Sequence, residues 1–276
     1  MSRSMIQAAV TMNQLQQKLD VIGHNLANSS TTGYKSRETE FSSLLFQHMN
    51  NLSDPENLNG RLTPDGIRIG SGAKLGQIRT NNALGSMKET DRPLDTLLLH
   101  ENYLYQIQVT ENGVNETRYT RDGAFYLSPI NNNEDVLLTT KDGNPVLGLN
   151  GPIIIPQGFD SIQVHPNGDI TVQRGNATEF VGSLAIVEAV RPRLLEATGQ
   201  NEFRLPDLDA LGYNFDEIIQ AIDPNVDAVR SGALEQSNVD LSKQMTELLM
   251  TQRSYQFNAR TITTVDQMQG LINQLR

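Results

Sequence analysis

The sequence predicts an α+β protein: two terminal helices that pair in coiled-coil fashion, with a compact antiparallel β-domain inserted between them. Three observations predict it. Apolar residues recur every seven positions at both chain ends. Between the ends, short stretches alternate polar and apolar residues with period two. Turn dipeptides punctuate those stretches at close intervals. The 276 residues are enough for one or two domains with a sizeable core.

The first element runs from Ser4 to about Ala27. Met5, Met12, Leu19 and Leu26 are seven apart, and Ala8, Leu15 and Ile22 each follow by three. Ser4-Met5-Ile6-Gln7 has the Ser-x-x-Gln form of a capping box. Asn28 and the run Ser29-Ser30-Thr31-Thr32-Gly33 end the helix, which sets the first segment at 1–33. The last element is 233–276. Its helix is expected to open at Ser237-Asn238-Val239-Asp240, a Ser-x-x-Asp pattern. Leu241, Leu248, Tyr255 and Ile262 recur every seven residues, with Met245, Gln252 and Ala259 between them. This is a narrow seam for a partner helix, not the broad stripe of a helix lying on a large core. At ~1.5 Å per residue that helix is roughly 55–60 Å long. The two seams share one period, so 1–33 is read as the partner of 233–276. The competing reading is two unrelated amphipathic helices, each packed on the central domain. Beyond Ile262 the stripe is expected to slip to Val265, Met268, Ile272 and Leu275, as a straight helix drifts against a heptad. Part of this helix is therefore expected to face other chains.

Residues 34–65 read as a polar connector with one apolar cluster at Phe41, Leu44, Leu45 and Phe46, ending in a loop rich in Asn, Asp and Pro. The β-domain is placed at 66–205. Ile67-Arg68-Ile69, Leu75-Gly76-Gln77-Ile78, Tyr105 to Val109 and Ile170-Thr171-Val172 alternate with period two. Asn112-Gly113, Asp122-Gly123, Asp142-Gly143, Asn150-Gly151 and Asn167-Gly168 mark turns between strands. Residues 206–232 are again polar and Asp-rich and read as a second connector.

Composition removes several function classes. The formal net charge of −10 argues against a nucleic-acid footprint. With no cysteine, disulfides, thiolate catalysis and thiolate metal sites are excluded. His24, His48, His100 and His165 fit no metal-ligand spacing. Gly70-Ser71-Gly72-Ala73-Lys74 lacks the Gly-Lys-Ser/Thr ending of a phosphate loop, and a strand with turns accounts for it better. Glu134-Asp135 and Glu89 with Asp91 lie among turn residues, where Asp is favoured for backbone reasons. Ser183 has no nucleophile-elbow pattern around it. The reading is thus no catalytic residue, no metal and no cofactor. The N-terminus lacks the apolar run of a cleavable secretory signal, and no stretch approaches the ~18 apolar residues of a membrane span.

What stands out is polarity on and beside the seams. Asn25, Asn28, Gln252, Arg253, Asn258 and Asp266 are unfavourable there unless partnered. Gln252 sits in a seam position, where a polar group tends to fix register. A solvated helix face explains Arg253 and Arg260, but explains Gln252 poorly.

Asn25-Leu26-Ala27-Asn28 followed by Thr31-Thr32-Gly33-Tyr34-Lys35 resembles the N-terminal signature of the bacterial flagellar rod and hook proteins. Gly232-Ala233-Leu234-Glu235-Gln236-Ser237-Asn238-Val239-Asp240-Leu241 resembles their second signature, continued by Met245, Gln252-Arg253-Ser254-Tyr255, Asn258, Asp266 and Met268. Gly85 to Thr90, Pro93-Leu94-Asp95 and Tyr119 to Phe125 are similar to the central β-domain of the distal-rod and hook members. The resemblance covers nearly the whole chain, and the length fits the distal-rod subgroup. It implies a non-enzymatic subunit of the basal-body rod, exported by the flagellar type III apparatus without a cleaved signal. It also implies helical stacking with copies of itself and with other rod and hook proteins, the terminal helices forming an inner tube. A hook-type or rod–hook junction subunit is the near alternative, and an exported wall-acting enzyme with helical attachment segments the distant one. The residues it implies at the assembly interface are Met5, Met12, Leu15, Leu19, Ile22, Asn25, Leu26, Asn28, Gly33 and Tyr34. On the C-terminal side they are Asn238, Asp240, Leu241, Met245, Leu248, Gln252, Tyr255, Asn258, Ile262 and Asp266. Three departures stand out. Leu99-His100-Glu101-Asn102-Tyr103 replaces the family's usual Gly-x-Gly-Phe-Phe turn, His24 stands where Asn or Ser is common, and Gln244 where Glu is common.

Overall fold

The structure is a computed structural model that describes residues 3–43, 46–49, 67–70, 73–111, 113–131, 134–199, 201–208 and 212–274. Leu44, Leu45, Ser71, Gly72, Asn112 and Leu275 of the sequence reading, and its loop rich in Asn, Asp and Pro, lie outside these residues. The chain divides into two compact units, one drawn from Met1–Leu26, Arg37–Arg79 and Asp240–Arg276, the other from Ala27–Ser36 and Thr80–Val239.

The first unit holds the two long helices, Arg3–Ala27 and Leu241–Gln274. They pair, and the seam side chains explain why. On the N-terminal helix Ala8 and Ile22 are buried, and Met5, Met12, Leu15, Leu19 and Leu26 are half-buried. On the terminal helix the inward track is a strict heptad whose members differ from those expected. Leu248, Tyr255 and Ile262 are half-buried as read. Their companions are Gln244, Thr251, Asn258 and Val265, whereas Met245 and Gln252 are exposed. Sequence letters favour Met over Gln, but Gln244 has a buried partner in Asn25 and so takes the inward place. The inward track continues through Val265 to a half-buried Gln269, while Met268 and Ile272 of the expected stripe face away from it and are exposed. The helix start also moves. Leu241 is the first helical residue, and Asp240 caps it by accepting the amides of Ser242 at 2.9 Å and Lys243 at 3.1 Å. Ser237 instead accepts the amide of Val239, a local turn before the helix. The unit also contains the strand Arg37–Ser43, paired with Ala73–Thr80, and the antiparallel pair Phe46–Met49 and Ile67–Gly70.

The second unit is antiparallel throughout its named strand pairs. Its largest sheet has six strands in the order Glu196–Gly199, Glu202–Arg204, Val114–Thr120, Tyr103–Glu111, Ile186–Ala189, Ile219–Ala221. Two three-stranded sheets accompany it: Ile154–Pro156, Asp135–Thr139 and Tyr126–Ile130; and Ser161–Val164, Asp169–Arg174 and Ala177–Ser183. Period-two alternation gives Tyr103–Glu111 two faces. Tyr103, Tyr105, Ile107 and Val109 enter the larger core with Leu98, Phe125, Leu138, Ile155, Ile170 and Val172. Leu104 points the other way, into a smaller core with Tyr119, Val187, Ile218 and Ile219. The strand is thus covered on both faces from Tyr103 to Val109.

Segment 206–232, read as a connector, contributes the strands Ile219–Ala221 and Val229–Ser231, and Ala233–Glu235 is a third strand, paired with Met87–Glu89. These residues belong to the β-rich unit and not to the terminal helix. Asp122-Gly123 is not a hairpin turn: Gly123 packs so closely that an added Cβ would meet the carbonyl oxygen of Thr96. Asp142-Gly143, Asn150-Gly151 and Asn167-Gly168 do supply positive-φ glycines, as does Gly113.

Candidate assembly site

The two signature stretches meet within each unit, through polar contacts that hydrophobic patterning does not reveal. In the first unit the centre is Asn25, which is almost wholly buried. Its Oδ1 accepts the Arg37 amide at 2.9 Å, its Nδ2 donates to the Arg37 carbonyl at 2.8 Å, and the same Nδ2 donates to Gln244 Oε1 at 3.3 Å. One side chain thereby ties the end of the first helix, the strand after it and the first turn of the last helix. Lys18–Glu247 at 3.6 Å and Lys243–Glu38 at 3.4 Å add weak surface pairs.

In the second unit the centre is Glu235, 3% exposed. Its Oε1 accepts Lys35 Nζ at 2.6 Å and the Gly85 amide at 2.8 Å, and its Oε2 accepts Arg121 Nε at 2.6 Å. Arg121 also donates to the carbonyls of Glu101 at 2.7 Å and Tyr103 at 2.8 Å. The departing stretch Leu99 to Tyr103 is therefore a turn held by Arg121, with the His100 and Tyr103 rings 4.7 Å apart. Lys35 makes a further bond to the Ala83 carbonyl at 2.7 Å. Gly33 has φ +65°, and its amide donates to the Glu235 carbonyl at 2.8 Å. A Cβ there would stand 2.6 Å from the Arg121 carbonyl oxygen, which reserves the position for glycine.

Asn238 is the second tie. Its Oδ1 accepts the Ser36 amide at 2.7 Å, and its Nδ2 donates to the carbonyls of Asn81 at 2.8 Å and Ala83 at 2.9 Å. Thr32 is held apart from these, its hydroxyl on Asp122 Oδ1 at 2.7 Å and its carbonyl on Asn201 Nδ2 at 3.0 Å.

Burial acts on the charges in opposite senses. Burial, aided by the nearby Arg121 guanidinium, lowers the Lys35 ammonium to about 8, against the pull of Glu235. Burial alone would raise the Glu235 carboxyl, but Arg121, Lys35 and the Gly85 amide together hold it below the ordinary carboxylate value. The carboxylate is ionised at neutral pH and holds Lys35, Arg121 and the Gly85 amide together.

The structure thus brings Asn25, Gly33, Tyr34, Asn238 and Asp240 into tight polar or buried positions, with Asn28 half-buried where the first helix ends. Leu15, Ile22, Leu26, Leu248, Tyr255, Asn258 and Ile262 lie inward on the seams. Leu241, Met245, Gln252 and Asp266 lie outward. Lys35, Arg121, Glu235 and Gln244 were not singled out from sequence as site residues. The available signal was that the two signatures carry opposite charges, Lys35 at the end of the first and Glu235 within the second. Among the described residues no group of three His, Asp or Glu side chains is placed to hold a metal, and no helix is long and apolar enough to cross a membrane.

Comparison with known proteins agrees along the whole chain. Residues 7–35 match the family described as "Flagella basal body rod protein", 105–172 the "Flagellar hook protein FlgE/F/G D1 domain", and 230–275 the "Flagellar basal body rod FlgEFG protein C-terminal". The chain is 42% identical over 280 residues to the flagellar hook-basal body complex protein FlhP of Bacillus subtilis, covering 100% of both chains. It is 33% identical to the flagellar basal-body rod protein FlgG of Agrobacterium fabrum, covering 98% of each, and 33% identical to FlgG of Bacillus subtilis, covering 99% of each. These are structural proteins of the flagellum and not enzymes. The chain belongs to the flagellar basal-body rod and hook protein family.

Proposed function

We propose that this chain is a structural subunit of the distal part of the flagellar rod, exported by the type III apparatus and stacked helically with copies of itself and with other rod and hook proteins. The observation that carries this reading is the terminal helix. Over 34 residues only Gln244, Thr251 and Val265 are buried, while Met250, Phe257, Leu271 and Ile272 are each more than half exposed. A helix with so much apolar surface outside its own seam needs neighbours. Neighbours arranged by a repeated, non-closing contact build a filament. The full-length match to basal-body rod proteins supports a place in the rod.

Under this reading the sequence-derived interface divides in two. Leu15, Ile22, Leu248, Tyr255 and Ile262 close the seam within a subunit, and Leu241, Met245, Gln252 and Asp266 face other subunits. Electron microscopy of basal bodies from a strain lacking the gene tests it. Rods that stop short and carry no hook are expected; complete rods of normal length would exclude the role. The 42% identity to a protein named for the hook-basal body complex favours, as a second reading, a place at the rod–hook junction. Complete rods that lack hooks in the same micrographs would select it.

A further inference from the structure

Lys35 and Arg121 are two buried cations that share one carboxylate, each reaching a different oxygen of Glu235 at 2.6 Å. Remove that carboxylate and docking Lys35 sets two uncompensated cations side by side where water is excluded, which opposes docking strongly. Asn238 imposes the same condition on the backbone: Ser36 donates to it, and it donates to Asn81 and Ala83. Gly85 donates to Glu235, and Ser86 exchanges bonds with Gln236, its hydroxyl donating to Oε1 and its carbonyl accepting the amide, both at 2.8 Å. Segments 33–36 and 81–86 therefore converge on 235–238, about 200 and 150 positions further along the chain.

We propose that residues 235–238 are a latch. Segments 33–36 and 81–86 dock only once Glu235 and Asn238 are in place, so the roots of the two long helices are fixed in one cooperative step. The latch stands on geometry within one unit. Its use rests on the rod reading: a chain that emerges N-terminus first keeps the root of its first helix undocked until nearly all of it is available. Neither helix is then presented to a growing filament in final form by an incomplete chain.

Residue-resolved amide hydrogen exchange on the purified full-length protein tests the latch. Glu235→Gln keeps the backbone carbonyl that Gly33 bonds, so a purely local effect of the side chain leaves the Gly33 amide unchanged. The latch instead requires Gly33 and Ser36 to exchange at least ~100-fold faster. The amides of Gln106 and Leu138, bonded to Ala185 and Ile153 inside the β-rich unit, are to keep their protection. Asn238→Ala deletes the acceptor of Ser36, and the latch requires Gly33 to accelerate about tenfold as well. Adding Lys35→Met to Glu235→Gln removes one stranded cation and is expected to restore at least ~10-fold of the Gly33 protection. Unchanged exchange at Gly33 in Glu235→Gln overturns the proposal. So does an equal loss at Gly33, Gln106 and Leu138, which would mean that the segment does not open separately from the sheet. Neither result depends on where the protein sits in a flagellum, which the basal-body micrographs decide independently.

Discussion

The strand Tyr103–Glu111 and the helix Leu241–Gln274 treat their apolar residues in opposite ways. The strand sends Tyr105 and Ile107, both at 0% exposure, into one core and Leu104 into another, so both faces are covered within the chain. The helix covers one narrow track and leaves Met250, Phe257, Leu271 and Ile272 in solvent. Apolar residues in the strand contribute to folding of the subunit. Many in the helix contribute only when something else covers them. On the proposed reading, stability and assembly are written in different parts of one chain, and the buried charges at Glu235 lie among residues that serve the first.

The largest effects are expected where the strand is attacked. Ile107→Ala leaves a cavity in the main core and is expected to destabilise the protein by about 4 kcal/mol, read from the midpoint of urea unfolding. A loss below about 1 kcal/mol would break the comparison, because the strand would then be no more self-sufficient than the helix. Gly33→Ala comes next, at about 2–3 kcal/mol. The new Cβ meets a backbone oxygen that cannot swing away, in a left-handed conformation that alanine disfavours.

Smaller effects come from pH, and the two titrating partners have different windows. The folded value of Lys35 lies below its ordinary value, so between about 8 and 10.5 the unfolded chain holds a proton that the folded chain has released. Stability from this group therefore rises with pH from about 8. Tyr105 and Tyr119 are raised by burial and act in reverse above pH 10, so the window closes there. A gain of about 1–2 kcal/mol between pH 7.5 and 9.5 is expected, and Lys35→Met should abolish it. Glu235 is lowered, so its contribution is complete above the usual carboxylate value and is lost as pH falls through the lower folded value. Glu235→Gln should flatten that acid limb while lowering stability at neutral pH. Denaturation series at fixed ionic strength read both limbs.

How much of this was legible depended on what kind of interaction held each residue. Residues placed by hydrophobic burial were readable: Ala8, Ile22, Leu248, Tyr255 and Ile262 follow a heptad, and Tyr105 and Ile107 follow a pleat. Residues placed by a specific partner were not. Gln244 displaced Met245 because Asn25 waits for it from the other helix, 219 positions away, and no local window contains that fact. Ser237 looked like a cap, yet Asp240 does the capping and Asn238 is engaged by Ser36. Asp122-Gly123 looked like a turn, yet its glycine is required by a neighbouring backbone. The paired helices and the antiparallel domain could be read from periodicity. The Glu235 cluster could not, because three charges spread over 200 residues become a site only after folding.

The smallest expected effect on stability is also the one that most sharpens the contrast. Phe257 is 72% exposed and opposes no residue of the seam, so Phe257→Ser removes little that folding has buried. Its change in unfolding free energy is expected to stay within about 0.5 kcal/mol, the range of ordinary surface substitutions. If the helix is an assembly surface, the same change should still abolish motility and shorten rods in a complemented deletion strain. A phenylalanine side chain fully buried by a neighbour gains about 1.5–3 kcal/mol, and a filament repeats that contact at every subunit. Leu248→Ser makes the matched control on the inward track, losing stability in the isolated chain before any assembly is asked of it. Should Phe257→Ser destabilise the isolated protein as much as Leu248→Ser, the exposed track would be part of the subunit's own packing, and the division between a folding face and an assembly face would fail.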